Sequence, residues 1–343
     1  MEYPVKVTAA KEQLEFKREE YAKKIGSERL LSIYRNMVRT MEFDNTIEDL
    51  LLKGHDIVQH NTRGQEATPI VAASFLGEED YLMPYHRGWA WAIGKGMEPK
   101  KMLAELLNRT NGYNMGRAGA QLGDYDLKVM GRPGIQAAHI PIATGIGFTC
   151  KLNKASQVCL CLNGNGSSNA GNFYEALNIA GTFKLPVLYI VENNLYEIFE
   201  PIKDTTPIED IALRSIGSGM PGYIVDGNDV IMLYYILNDV YDYVRSGNGP
   251  VLVEAKTYRH EGHGNSDTLS YGGYRSKEEV DEWIKKDPIP RLKKDLLELN
   301  MATEADFEKI HKEALDEMME AIEYALAGVY PTKEELLMYN YVD

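Results

Sequence analysis

Apolar residues recur every three to four positions near the start of the chain. From residue 139 they gather instead into short continuous runs separated by amphipathic stretches. Leu30, Ile33, Tyr34, Met37, Val38 and Met41 make one stripe, so residues 10–53 are predicted to be helical. Residues 54–64 are polar, contain His55, His60 and Arg63, and read as a loop; residues 65–75 and 98–107 read as further short helices. Residues 110–136 are rich in glycine and lack periodicity, and a loop of that length inside a compact domain is usually functional. The pattern then alternates: helix 139–152, strand 158–162, helix 169–184, strand 187–192, loop 193–208, strand 223–225, helix 230–244 and strand 251–255. Residues 258–275 are again irregular, and 276–343 are helical and charged, with 303–328 the longest helix of that region. Strands alternating with helices predict an α/β fold, a mostly parallel sheet with helices on both faces. The expected organisation is a helical N-terminal extension (1–53), an α/β domain (54–275) and a helical C-terminal extension (276–343).

Composition narrows this picture. At 343 residues and 44% hydrophobic content the chain has ample material for a core. A net charge of -14 argues against nucleic acid or an anionic membrane as the main partner, while leaving room for a local basic pocket. Cys150, Cys159 and Cys161 lie in or beside an apolar helix and strand without metal-binding spacing, which predicts buried free thiols and a cytoplasmic setting. No signal-peptide core and no run long enough to span a bilayer is evident.

The chemistry concentrates at Gly164-Asn165-Gly166 and, 29 residues after Asn165, Asn194. The stretch reads as strand, glycine turn, helix and strand, closing on a polar cluster. In a parallel βαβ unit both strand ends open onto the same edge, where ligands bind. The glycines let backbone approach a phosphate, and a helix start supplies free N–H groups and a positive dipole end. Asn165 and Asn194 offer side-chain oxygens to a hard cation such as Mg²⁺. A nicotinamide site is the competing reading, with Glu192 as the ribose acid. It fails because Asn169 stands where the third glycine of that fingerprint is required.

Other segments join this one in a fixed order: Gly64-Gln65-Glu66-Ala67, His86-Arg87-Gly88, Gly116-Arg117-Ala118-Gly119, Thr257-Tyr258-Arg259, Gly262-His263, Ser266-Asp267, Tyr274-Arg275 and Asp287-Pro288. Together, from about residue 27 to 300, they resemble the alpha subunit of the thiamine-diphosphate-dependent 2-oxoacid dehydrogenases, the pyruvate, branched-chain and acetoin dehydrogenase E1 alpha family. The resemblance implies that Asn165 and Asn194 are Mg²⁺ ligands through their side chains and Tyr196 through its carbonyl. It implies that Gly164, Gly166, Ser167, His86, Arg87 and Asn194 bind the cofactor, with Gly166 and Ser167 touching its diphosphate through backbone and Arg87 binding phosphate, and that Gly134 and Gln136 belong to the segment touching its aminopyrimidine. His60 and His263 match two catalytic histidines near the reactive end. The implied reaction is decarboxylation of a 2-oxoacid, or acetoin-type carbon–carbon cleavage, with transfer of the acyl group. The glutamate that activates the aminopyrimidine resembles a residue of a separate beta subunit, so an α₂β₂ assembly is implied, with the lipoyl domain of an E2 acyltransferase as the acceptor.

The chain departs from the family at four places. Asn165 replaces the central aspartate of the motif, Trp89 and Leu122 replace histidines, and Gly264 follows His263 where the family has serine. An asparagine keeps an oxygen ligand but removes a charge, which predicts weaker Mg²⁺ binding. Two alternatives stay open on these grounds: a biosynthetic carboligase subunit without a lipoyl acceptor, and a non-catalytic paralogue. Taken singly, Asn165 and Asn194 also suit turns, Arg87 a salt bridge and His60 an ordinary loop.

Overall fold

The computed structural model describes residues 6–9, 17–264, 267 and 274–338. Six strands form one parallel sheet: β1 (Val7–Ala9), β2 (Tyr81–Met83), β3 (Cys159–Gly164), β4 (Val187–Asn193), β7 (Gly222–Asp226) and β8 (Val251–Lys256). Their order across the sheet is β1-β7-β8-β4-β3-β2. A small antiparallel hairpin, β5 (Tyr196–Glu197) and β6 (Glu200–Pro201), stands outside it. The helices are α1 (Arg18–Ile25), α2 (Ser27–Leu52), α3 (Ala67–Ala73), α4 (Ala90–Lys95), α5 (Pro99–Leu106), α6 (His139–Leu152), α7 (Gly171–Phe183), α8 (Ile202–Thr205), α9 (Arg214–Gly217), α10 (Val230–Arg245), α11 (Lys277–Ile284), α12 (Pro288–Glu298), α13 (Glu304–Ala327) and α14 (Lys333–Leu337).

The continuous apolar runs are explained by burial on both faces. Every residue of β3 and β4 is buried. Successive side chains of a strand point to opposite faces. Leu160, Leu162, Leu188 and Ile190 join one hydrophobic cluster, with α2, α3, α4, α5, α10 and α13. Their neighbours Cys159, Cys161, Val187, Tyr189 and Val191 join the other, with α6 and α7. The three cysteines are free and buried. Helices near both ends of the chain share the first cluster with the sheet, and Arg39 of α2 makes a two-pronged bond to Glu317 of α13 at 2.7 Å.

Several elements differ from the sequence expectation. The predicted helix 10–53 is two helices, broken at Gly26, whose φ of 87° no helix interior adopts; residues 10–16 lie outside the described residues. Loop 193–208 contains the β5–β6 hairpin and α8. The edge strands β1 and β2, three residues each, are too short to show alternation. Among the described residues no helix is long and apolar enough to cross a membrane.

The register sets the stage for function. Gly164 lies opposite Glu192, and Asn193 opposite Lys256. The segments that follow β2, β3, β4 and β8 therefore emerge along one carboxyl edge.

Candidate cofactor and substrate site

Two polar clusters meet at this edge, one buried and one half-buried. The first follows β3 and β4. Asn163 and Asn165 are buried, and both amide atoms of Asn163 and the Nδ2 of Asn165 have no partner. Buried polar atoms are rarely left so. Residues Gly166–Asn169 form a 3-10 turn whose first internal bond runs from Ser168 N to Asn165 O (3.1 Å), leaving the N–H groups of Gly166 and Ser167 ahead of it. The α-helix proper begins two residues later than predicted, at Gly171. After β4, Asn194 is oriented from both ends: its Nδ2 donates to Gln65 Oε1 (3.0 Å), and its Oδ1 accepts from Tyr196 N (3.3 Å). Glu192, behind them, is wholly buried; burial pushes its carboxyl up to about 7, opposed by the Tyr85 hydroxyl and Arg87.

The second cluster consists of three histidines among three arginines. The ring centroids of His60 and His86 are 4.8 Å apart, and those of His60 and His263 are 4.9 Å apart. Arg87 Nη2 and Arg259 Nη1 approach His263 Nδ1 at 3.2 and 2.9 Å, and Arg132 Nη2 approaches His60 Nδ1 at 3.3 Å. A guanidinium has no acceptor, so each facing imidazole nitrogen must carry a lone pair and the proton of His60 and of His263 sits on Nε2. His86 is the opposite tautomer, because its Nδ1 donates to Gln136 Oε1 (2.8 Å). Burial, then Arg87, lowers His60 to about 2 and His263 to about 3, and His86 also falls well below the ordinary range. Burial, then Arg87, also lowers Arg132 and Arg259 to about 9. The histidine nitrogens lie within 4.8 Å of one another, yet the guanidiniums around them repel a cation. The cluster is built for an anion.

Local packing fixes the loops that carry these groups. Asp44 of α2 accepts from Thr62 N (2.6 Å) and Gln59 Nε2 (3.1 Å), and Gly88 N donates to His60 O (2.6 Å). Gly88 has φ +60°, and a Cβ there would lie 2.0 Å from Thr62 Oγ1. Asp267 Oδ2 accepts from His263 N and Tyr274 Oη, both at 2.7 Å, which ties His263 to Tyr274. Ser266 of that segment lies outside the described residues.

The structure thus brings His60, His86, Arg87, Gln136 and His263 together, and gathers Gly164, Asn165, Gly166, Ser167, Asn194 and Tyr196 on neighbouring strand ends. Gly134 lies on the exposed side of the Gln136 loop, in open space. Arg132 and Arg259 were not assigned roles from the sequence, although Gly131-Arg132-Pro133-Gly134 and Thr257-Tyr258-Arg259 contain them. An arginine beside glycines in an aperiodic loop was the available signal. Trp89 and Leu122 are fully buried, and the Arg132 guanidinium lies 4.9 Å from the Trp89 ring centre, so the tryptophan supports a cation at the site.

Known proteins resemble the chain over most of its length. The chain is 36% identical over 280 residues to the pyruvate dehydrogenase E1 component subunit alpha of Rickettsia bellii (strain RML369-C), covering 81% of this chain and 85% of the relative. It is 34% identical over 311 residues to the somatic, mitochondrial form of the same subunit from Homo sapiens, covering 89% and 78%. The family model for the dehydrogenase E1 component matches residues 34–334. With this match across most of its length, the chain belongs to the dehydrogenase E1 component family.

Proposed function

We propose that this chain is the E1 alpha-type subunit of a thiamine-diphosphate-dependent 2-oxoacid dehydrogenase, acting in decarboxylation with a separate beta-type subunit in an α₂β₂ assembly. One observation carries the reading. A cluster of unsatisfied amides and a cationic, histidine-lined cluster converge on the carboxyl edge of one parallel sheet.

The residues present fit the cofactor. Mg²⁺ takes oxygen ligands together with substrate phosphates, and Asn165, Asn194 and the Tyr196 carbonyl would hold it. The free N–H groups of Gly166 and Ser167 suit a diphosphate, and Gly164, packed against the Tyr85 ring, ends the strand that carries their turn. Bound thiamine diphosphate supplies the electron sink for breaking the bond beside a 2-oxo carbon. Arg87, Arg132 and Arg259 offer charge-assisted hydrogen bonds to phosphate or carboxylate oxygens. His60 and His263 present Nε2–H as donors. His86, with its Nδ1 proton bonded to Gln136, presents an Nε2 lone pair as a proton acceptor. A cytoplasmic setting, supported by the free buried thiols, and transfer of the acyl group to a lipoyl arm complete the proposal.

Co-expression with the beta-type partner and calorimetric titration with thiamine diphosphate, with and without Mg²⁺, test it. CO₂ release from a panel of 2-oxoacids then identifies the substrate. Failure to bind the cofactor with the partner present refutes the reading. Turnover without lipoyl acylation assigns the chain to carboligation.

A further inference from the structure

The candidate metal ligands Asn165, Asn194 and the Tyr196 carbonyl are all neutral, whereas Mg²⁺ is usually bound through one or two carboxylates. The structure places a carboxylate beside the glycine turn that carries Asn165. Glu197 follows Tyr196 in β5, and its side chain lies directly against the glycine turn: a Cβ added at Gly166 would stand 2.7 Å from Glu197 Cγ, 2.8 Å from Cδ and 3.1 Å from Oε1. The Glu197 carboxylate is partly buried, and among the described residues it has no hydrogen-bond or ion-pair partner. Across the hairpin it is paired in register with Glu200. Like charges directly opposite one another on two strands are destabilising, as is an anion beside a diphosphate-binding turn. A divalent cation at this point relieves both. Glu192, the neighbouring acid, is wholly buried beside Tyr85 and Arg87 and does not reach the rim in this way.

We infer that Glu197 supplies the anionic ligand of the divalent cation, taking over the charge that Asn165 lacks. This rests on the cofactor site proposed above. It also gives the asparagine a physical reason, since one carboxylate has moved from the β3 turn to the β5 hairpin and the charge of the ligand set is preserved.

The test uses the full chain with its beta-type partner and follows Mn²⁺ uptake by electron paramagnetic resonance in the presence of thiamine diphosphate. Glu197→Gln is expected to weaken Mn²⁺ binding by about tenfold or more, the scale on which even supporting residues of metal sites act. The metal-free protein should melt no lower than wild type, because the carboxylate bonds to nothing in the fold and its removal relieves the repulsion with Glu200. Two further results are specific to a ligand. Metal-free inorganic pyrophosphate should bind Glu197→Gln more tightly than wild type, and Asn165→Asp placed in the Glu197→Gln background should restore Mn²⁺ affinity. Wild-type uptake with unchanged affinity in Glu197→Gln overturns the assignment of Glu197 alone. So does tighter cofactor binding by Glu197→Gln both with and without metal, which would make the carboxylate an obstruction. No Mn²⁺ uptake by any variant, Asn165→Asp included, overturns the site itself.

Discussion

A histidine whose neighbours are guanidiniums is a fixed donor with no room for a second proton. His60 and His263 are in that position, and the sign of the resulting pH dependence follows. Their folded values, about 2 and about 3, lie below the ordinary 6.5. The unfolded chain therefore takes up protons that the folded one refuses. Stability is fully present above pH 6.5 and is lost as pH falls from 6.5 toward 3. After allowance for partial solvent access, the loss is on the order of 1 kcal/mol per histidine per pH unit. Asp44, Glu66 and Glu192, which burial raises to about 7, act with the opposite sign in the same range, so the slope is read as the difference in urea unfolding between the cofactor-free wild type and the H60Q/H263Q double variant from pH 7.5 to 5. An equal slope in both proteins would mean that the histidines are not held neutral. The same geometry predicts that Arg259→Met, which leaves Arg87 as the remaining guanidinium on His263 Nδ1, raises KM for the 2-oxoacid more than it changes kcat. That pattern is the mark of an interaction made equally in ground and transition states. A loss confined to kcat would argue that Arg259 acts on the reacting atoms instead.

At the scale of elements, glycine contacts position the site. Gly88 joins the loop after β2 to the loop bearing His60, and its φ is left-handed. Gly88→Ala adds a backbone penalty and a collision with Thr62 Oγ1, together roughly 2–4 kcal/mol. Thermal unfolding should show the loss, and the T62A/G88A double variant should recover the Oγ1 part of the collision while keeping the backbone part and the close contact with the β-carbon of residue 62, 2.9 Å away. Full recovery would mean that the left-handed backbone costs nothing at this position. These contacts also explain what was legible in the sequence. The α6 boundaries, His139–Leu152, coincide with the predicted 139–152, and the buried strands β3, β4 and β8 lie within two residues of their apolar runs. Their patterns report burial that depends on the local chain. β1 and β2 were not legible because three residues show no period, and their pairing partners lie far away in sequence. At the site, the glycine turn and the histidines stood in recognisable motifs. Arg132 and Arg259 did not stand out, because what gives them meaning is their approach to His60 and His263. Loop packing creates that approach, and no spacing along the chain encodes it. The same holds for Glu197, whose position against Gly166 depends on how the β5 hairpin folds over the β3 turn.

Over the whole molecule, the faces of α6 and α7 turned away from the sheet are unusually apolar. Ile142, Phe148 and Leu152 of α6 and Tyr174, Ile179 and Phe183 of α7 are exposed, with Phe148 and Phe183 in edge-to-face contact at 5.3 Å. Grouped exposed apolar side chains of this size mark an interaction surface. Both helices begin at the site: α6 follows the Gln136 loop, whose Ile135 is 74% exposed, and α7 follows the Gly166 turn. A subunit covering this face would therefore extend over the cofactor edge, which is what a beta-type partner completing the active site must do. Placing a carboxylate at the centre of such an interface leaves a buried, unpaired charge, which costs about 3–5 kcal/mol, whereas the same change on a free surface shifts stability by no more than about 0.5 kcal/mol. The I142E/I179E variant is accordingly expected to melt like wild type when isolated. It should fail to retain the beta-type subunit in co-purification and lose cofactor-dependent CO₂ release. Light scattering decides the occupant. A complex of undiminished mass removes the face from the assembly altogether. Loss of self-association with the beta-type subunit retained would assign the face to a second copy of this chain.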